Sequence, residues 1–281
     1  PNNTINIPLL EQYMTKIAEY VESAIRGGVI NLPETRQREL PLSEKVVIIT
    51  GASRGVGKQA ALDFAKRGAK VVLAARTVET DTALPGTIGE TLQQIETLGG
   101  QAIAVATDLA SESNLKSLVD AAVERFGGVD ILINNAAVQY TPTFLDNDFC
   151  YNHIKREIDI NFTSICSLIY LTMPALLNSR SAIILNVNSG LGLVPKTTSA
   201  IYCATKGALN IFSQSLRHQL EGTNVRIMQA FLPLVETPMT DGRGSGKLPA
   251  DHAAAEIIAG IEKNRLDIDI GKVKLLRPLA R

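Results

Sequence analysis

An α/β fold, a doubly wound parallel sheet with helices on both faces, is what this sequence predicts for most of its length. Three observations predict it. Apolar runs alternate with helical stretches from Lys45 onward, the pattern of parallel strands joined by right-handed helical crossovers. Val46-Val47-Ile48-Ile49 is a continuous β-branched run, as a strand buried on both faces requires. A glycine-rich turn, Thr50 to Gly57, follows that run at once and opens a helix. With 281 residues, 45% of them hydrophobic, the chain can bury a substantial core.

The elements follow in order. Over residues 1–42, Leu10, Tyr13, Met14, Ile17, Val21, Ala24 and Ile25 recur at helical spacing, and Pro33 and Pro41 bracket a linker. This predicts an amphipathic helical extension packed on the domain or on a second subunit, since so small a piece is hard to stabilise alone. Residues 43–281 form the main domain. After the first strand, Lys58 to Arg67 reads as a helix burying Ala60, Ala61, Phe64 and Ala65. Val71–Ala75, Ala102–Ala106, Ile131–Ile133, Ala182–Val187 and Val225–Phe231 read as strands, with a last short one near Asp267–Ile270. Helices fit around 88–98, 112–126, 150–178 and 202–221. Residues 77–90 form a longer connection than the others, and no internal repeat is present.

Strand, glycine turn and helix are the context of a dinucleotide-binding fingerprint. Gly51, Gly55 and Gly57 allow positive φ and a close backbone approach to a pyrophosphate at the helix N-terminus, with Ser53, Arg54 and Val56 between them. The spacing G-x-x-x-G-x-G differs from the common G-x-G-x-x-G, and an ordinary tight turn is the alternative. Far downstream, Tyr202 and Lys206 stand four residues apart and project from one helix face. A tyrosine with its ordinary pKa near ~10 is a poor acid–base catalyst at neutral pH. A lysine ammonium close by stabilises the phenolate and lowers that pKa. Solvated helix residues would give the same pattern. Ser189, upstream, adds a third group.

Together, the glycine turn, Asn134-Asn135-Ala136-Ala137, Ser189 and the Tyr202/Lys206 pair resemble the short-chain dehydrogenase/reductase family, over about Glu44 to Thr240. The resemblance implies a Rossmann-type fold and a nicotinamide cofactor. It makes Tyr202 the proton donor in carbonyl reduction, and Lys206 both its pKa-lowering neighbour and a ligand of the nicotinamide ribose. Ser189 is implied to hold the substrate oxygen, and the main-chain carbonyl of Asn161 a water that relays protons to Lys206. Asp108, with Leu109 beside it, is implied to hold the adenine amino group, although Asp108 could equally be a helix N-terminal residue before Ser111. Asn135, Ala136 and Ala137 are implied to border the cofactor, and Pro233, Val235 and Thr237 to grip the carboxamide. Three positions depart from the family pattern: Leu234 replaces a glycine, Ala137 another, and Asn188 a serine. The 77–90 connection resembles an insertion in hydroxysteroid dehydrogenase-like proteins, although a plain loop fits as well. The tail 269–276 resembles one bacterial oxidoreductase branch.

An acidic residue at the end of strand two marks NAD binding. Here Ala74-Ala75-Arg76-Thr77 has none, and Arg54 is a second cation nearby. Two guanidinium groups facing one 2′-phosphate favour NADP(H). Two solvated surface arginines are the alternative.

Equal numbers of basic and acidic residues, 28 each, give no reason to expect nucleic acid or an anionic membrane. No unbroken apolar run reaches the ~18 residues of a membrane span. Cys150, Cys166 and Cys203, and His153, His218 and His252, show no metal-ligand spacing, so no metal is expected. The cysteines read as buried free thiols in a reducing, cytoplasmic compartment. No secretory leader is read, and the chain starts at Pro1, which leaves processing open. Leu191, Leu193, Val194 and Phe144 suggest apolar pocket walls, and 239–250 a short mobile lid. The expected function is therefore an NADP(H)-dependent oxidoreductase acting on an apolar small-molecule carbonyl or alcohol. Reduction is favoured because cytosolic NADP pools are mostly reduced, and a homodimer or homotetramer is implied by the resemblance. The rivals are a non-catalytic NADP(H)-binding sensor or assembly protein, and an NAD-dependent alcohol dehydrogenase.

Overall fold

In a computed structural model, which describes residues 42–77 and 86–279, the β-branched run after Lys45 is the first central strand, β1 (Val46–Thr50), buried along its whole length. Successive side chains of a strand point to opposite faces. Val47 and Ile49 enter one hydrophobic core and Val46 and Ile48 the other. β2 (Lys70–Ala75), β3 (Gln101–Ala106), β4 (Ile131–Asn134), β5 (Ala182–Ser189), β6 (Val225–Leu232) and β7 (Asp267–Asp269) complete a sheet ordered β3-β2-β1-β4-β5-β6-β7. Every strand pair is parallel.

Helices cover both faces. α1 (Gly55–Lys66), α2 (Ile88–Thr97) and α7 (Ala250–Glu262) close the first core, which holds Phe64, Ile95 and Ile257. The second lies under α3 (Glu112–Phe126), α5 (Ser164–Asn178) and α6 (Ala200–Gln219), and holds Leu118, Leu168 and Leu209. Full burial of each such side chain is worth roughly 1.5–3 kcal/mol. Ser111 caps α3 by accepting the Asn114 N–H, and Gly127, at φ 85°, ends it in the left-handed conformation that glycine adopts without strain.

Two helices were not read from the sequence. In α7 the buried Ala253, Ala254, Ile257, Ile258 and Ile261 do carry helical spacing, but the segment follows a glycine-rich stretch that suggested loop. α8 (Val273–Leu279) is a short terminal helix. The helix expected over 150–178 is interrupted: α4 (Tyr151–Ile158) leads into a π turn, Asp159–Thr163, before α5. By length and composition this whole stretch, Tyr151–Asn178, is long and apolar enough to cross a membrane, although its apolar residues do not form one unbroken run. Its Ile165, Leu168, Ile169 and Leu176 are buried in the second core. The expected extension over 1–42 lies outside the described residues except for Leu42, which is buried in the first core. Most of the 77–90 connection also lies outside them.

The chain winds outward from β1 to β3 and returns to β4 on the other side of β1. The C-terminal ends of β1 and β4 therefore flank a topological switch point, where open α/β sheets place their ligands.

Candidate active site

The end of β1 is tied to the end of β4. Thr50 Oγ1 accepts the main-chain N–H groups of Asn135 (3.0 Å) and Ala136 (3.1 Å), and Asn135 Nδ2 donates to the Thr50 carbonyl at 2.9 Å. Asn135 thus braces the glycine turn through its side chain. Gly51 and Gly55 hold φ of 69° and 56°, and a Cβ on Gly57 would lie 2.3 Å from the Gly51 carbonyl oxygen. The turn fits a pyrophosphate: it is bare of side chains at three points and leads directly into the N-terminus of α1.

A cleft of about 1480 Å³ runs over the C-terminal edge of the sheet. It is lined by Gly51, Ser53, Arg54, Gly55 and Val56 from the turn, Arg76 and Thr77 after β2, and Asp108 and Leu109 after β3. Asn135, Ala136 and Ala137 after β4, Ser189, Tyr202 and Lys206, and Pro233, Val235 and Thr237 after β6 complete the expected set. Gly57 and Asn161 stand behind this lining. Gly57 is packed against the turn, and Asn161 is buried in the π turn. The Asn161 side chain bonds both main-chain groups of Val138 at 2.8 Å, fixing the strand end that borders the cleft.

At the β2–β3 end, Arg76 is exposed to the cleft. Arg54 donates through Nη2 to the Gly86 carbonyl and through Nε to Ser53 Oγ, which leaves Nη1 and part of Nη2 for a ligand. Asp108 Oδ1 accepts the Ala110 N–H at 3.1 Å, the turn geometry of a residue just ahead of a helix.

At the other end, β5 delivers Ser189 and α6 delivers Tyr202 and Lys206 from one helix face. Lys206 is 2% exposed; its Nζ donates to the Val187 carbonyl at 2.8 Å and lies 5.7 Å from the centre of the Tyr202 ring. Ser189 Oγ accepts the Leu191 N–H, and its hydroxyl favours the ionised form of the neighbouring Tyr202 phenol. Burial dominates both titrations. It pushes the Tyr202 phenol up to about 12, against the pull of the Ser189 hydrogen bond, and the Lys206 ammonium down to about 8. This differs from the expectation that Lys206 lowers the tyrosine pKa. Burial disfavours the charged form of each group, which raises the phenol and lowers the ammonium.

Beneath Ser189, Asn188 Oδ1 accepts the Ser189 N–H, and Asn188 Nδ2 donates to buried Gln229. The amide at 188 therefore positions the serine where the family pattern has a hydroxyl. Leu234 reaches over Gly244, whose added Cβ would meet it at 2.7 Å, and its carbonyl accepts the Leu248 N–H.

The substrate end corrects three expectations. Leu191 and Val194 line the cleft, but Leu193 does not. Phe144 lies outside it, in tilted ring contact with Phe149 beside a small separate cavity with Tyr140 and His153. The 239–250 segment is fastened by a Val235–Leu248 bridge, by Lys247 Nζ on the Thr240 carbonyl at 2.6 Å, and by Arg243 on Gln139, so the short mobile lid is a tied loop. Arg243, Lys272, Val273 and Leu276 also line the cleft and were not foreseen. Their only signal was a glycine-rich loop and an apolar tail. Among the described residues no three His, Cys, Asp or Glu side chains converge as a metal site would need.

The short chain dehydrogenase family model matches residues 45–247. An uncharacterised oxidoreductase of Staphylococcus epidermidis is 31% identical over 220 residues, covering 77% of this chain and 90% of that protein. Hydroxysteroid dehydrogenase-like protein 2 of Bos taurus is 39% identical over 153 residues, which is 53% of this chain but 35% of that protein. A short chain dehydrogenase/reductase from Burkholderia phymatum, solved in complex with NAD, superposes with a TM-score of 0.76 at 25% identity, covering 85% of this chain and 93% of that one. With a parallel sheet of Rossmann type, a glycine turn shaped for a dinucleotide and this match over most of its length, the chain belongs to the short-chain dehydrogenase family of oxidoreductases.

Proposed function

We propose that the protein is an NADP(H)-dependent reductase that converts a carbonyl to an alcohol, with Tyr202 as general acid. The reading rests on one observation: Ser189, Tyr202 and Lys206 meet at the cleft wall opposite the glycine turn. A non-catalytic binding module has no need of that trio.

When bound, the reduced nicotinamide supplies the hydride. Gly51, Gly55 and the N-terminus of α1 would hold the pyrophosphate, Arg76 and the remaining donors of Arg54 the 2′-phosphate, and Asp108 the adenine. Val235 and Thr237 orient the carboxamide. The Ser189 hydroxyl donates to the substrate oxygen as negative charge develops on it. Tyr202 Oη passes its proton to that oxygen. Lys206, with a pKa near 8, would resupply the proton, and the main-chain carbonyl of Asn161 would hold a water linking it to solvent. The π turn at Asp159–Thr163 departs from regular i→i+4 bonding at that residue, as π turns at functional sites do.

Two further readings accompany this one. The unpaired Cys150, Cys166 and Cys203 suit a reducing cytoplasm. Tyr170, Leu177 and Ile211, exposed on α5 and α6, suit a homo-oligomer contact, which light scattering of the purified chain tests directly.

Titration with NADPH and NADH, read by nicotinamide fluorescence, tests the cofactor assignment. NADPH should bind more tightly than NADH, and Arg76→Ala should narrow the difference by weakening NADPH alone. Preference for NADH in the wild type would favour the NAD-dependent alternative, and binding of neither would favour a different ligand.

A further inference from the structure

Among the described residues that line the cleft, Arg156, Lys196, Arg243 and Lys272 stand away from the β2–β3 end, and the lining acid, Asp108, stands at that end. On a chain with 28 basic and 28 acidic residues this bias is local. Three of the four cations are exposed at the rim. Arg243 is different. It is half-buried, with Nη1 on Gln139 Oε1 at 2.9 Å and Nη2 on the Gln139 carbonyl at 3.4 Å. Gln139 Nε2 in turn donates to Ser199 Oγ at 3.1 Å, and Ser199 is the buried residue that begins α6, the helix carrying Tyr202. A chain of hydrogen bonds therefore fixes the guanidinium relative to the reacting group.

The field of Arg243 reaches the Tyr202 phenol and favours its ionised form. Glu157, the buried acid nearby, accepts the Tyr140 N–H at 2.9 Å; burial raises its pKa, and that hydrogen bond and the Arg243 charge oppose the rise. Two of the five guanidinium N–H groups are engaged by Gln139, so three remain for a ligand in the planar fork geometry that suits a carboxylate. The adjoining walls, Leu191, Leu234, Met239 and Leu276, are apolar.

We propose that the substrate of this site is an aliphatic oxo acid, reduced to the hydroxy acid, with its carboxylate held by Arg243. This deepens the reading of the site as a carbonyl reductase and rests on it. The wholly apolar substrate expected from the sequence is thereby narrowed to an apolar chain with one anionic group. The rim cations Arg156, Lys196 and Lys272 speed encounter with such an anion, and their contribution weakens with salt.

The test needs no turnover. Octanoate and 1-octanol, matched in chain length, are titrated by calorimetry into the full chain with saturating NADPH and without it. Octanoate should bind at least roughly tenfold more tightly, the scale of one charge-assisted hydrogen-bonded contact. Arg243→Met should bring octanoate down to the affinity of the alcohol, leaving 1-octanol and NADPH unchanged. Arg243→Lys, which keeps the charge and loses the fork, should retain part of the preference. Equal affinities in the wild type, equal loss of both ligands in Arg243→Met, or binding of neither ligand would overturn the proposal. Failure of NADPH to bind, with the octanoate preference intact, would instead sink the reductase reading.

Discussion

Replacing Gly57 by alanine places a methyl carbon 2.3 Å from the Gly51 carbonyl oxygen and 2.4 Å from Asn135 Nδ2. The amide of Asn135 can swing away, but the Gly51 carbonyl belongs to the turn itself. Relief requires the turn to move off the N-terminus of α1. Overpacking of this kind costs about 3 kcal/mol. At roughly 2–4 °C per kcal/mol for a domain of this size, the melting temperature should fall by about 6–12 °C. Displacing the turn also removes at least one N–H contact to a bound phosphate. A hydrogen bond to a charged group is worth about 1.5–3 kcal/mol, or roughly tenfold or more in Kd. Gly207 provides the control: it lies within α6, and a Cβ there meets nothing within 4 Å. Gly207→Ala should raise stability by about 0.5–1 kcal/mol through helix propensity alone. The same chemical change thus carries opposite signs at two positions. Thermal unfolding and NADPH titration of both variants check it. A Gly57→Ala protein with unchanged melting temperature and unchanged NADPH affinity would refute the close-approach account of the turn.

Two other outcomes follow from buried groups. Lys206 titrates near 8 when folded and near 10.5 when unfolded, so between those values the unfolded chain binds the extra proton and stability rises with pH. Relative to Lys206→Met, which keeps Tyr202 and its opposite trend above pH 10, the wild type should gain up to about 3 kcal/mol across that window. A flat difference in denaturant unfolding would contradict the burial of a titrating lysine. Asn161→Ala should destabilise by about 1–3 kcal/mol, because it removes both bonds to the half-buried Val138 main chain. Chemical denaturation reads it, and a loss below ~1 kcal/mol would mean that those groups find other partners.

The central sheet was legible because burial on both faces leaves continuous apolar runs, as in 46–49 and 182–185. The glycine turn and the Tyr202/Lys206 pair were legible because their chemistry depends on short-range spacing. Legibility ended where contacts are long-range. Arg243 reaches the cleft because its loop is fastened across to Gln139, 104 residues away in sequence. Leu276 and Val273 line it because the tail folds back to Gly190. Phe144 looked like a wall residue by type, yet its segment turns outward onto Phe149. The helix α7 carried a readable apolar period that the glycines before it obscured. The tyrosine pKa went the other way from expectation because spacing reports a neighbouring charge and says nothing of how deeply both groups are buried.

Tyr202→Phe is the most direct measurement of the central claim. The wild type and the variant would be compared for NADPH binding and for NADPH oxidation with a panel of aliphatic oxo acids and ketones. Loss of a positioned proton donor should lower turnover by about 10²–10⁴-fold while NADPH binds as before. A wild type that reduces none of the panel, or a variant that reduces it undiminished, would contradict catalysis by Tyr202 in this cleft.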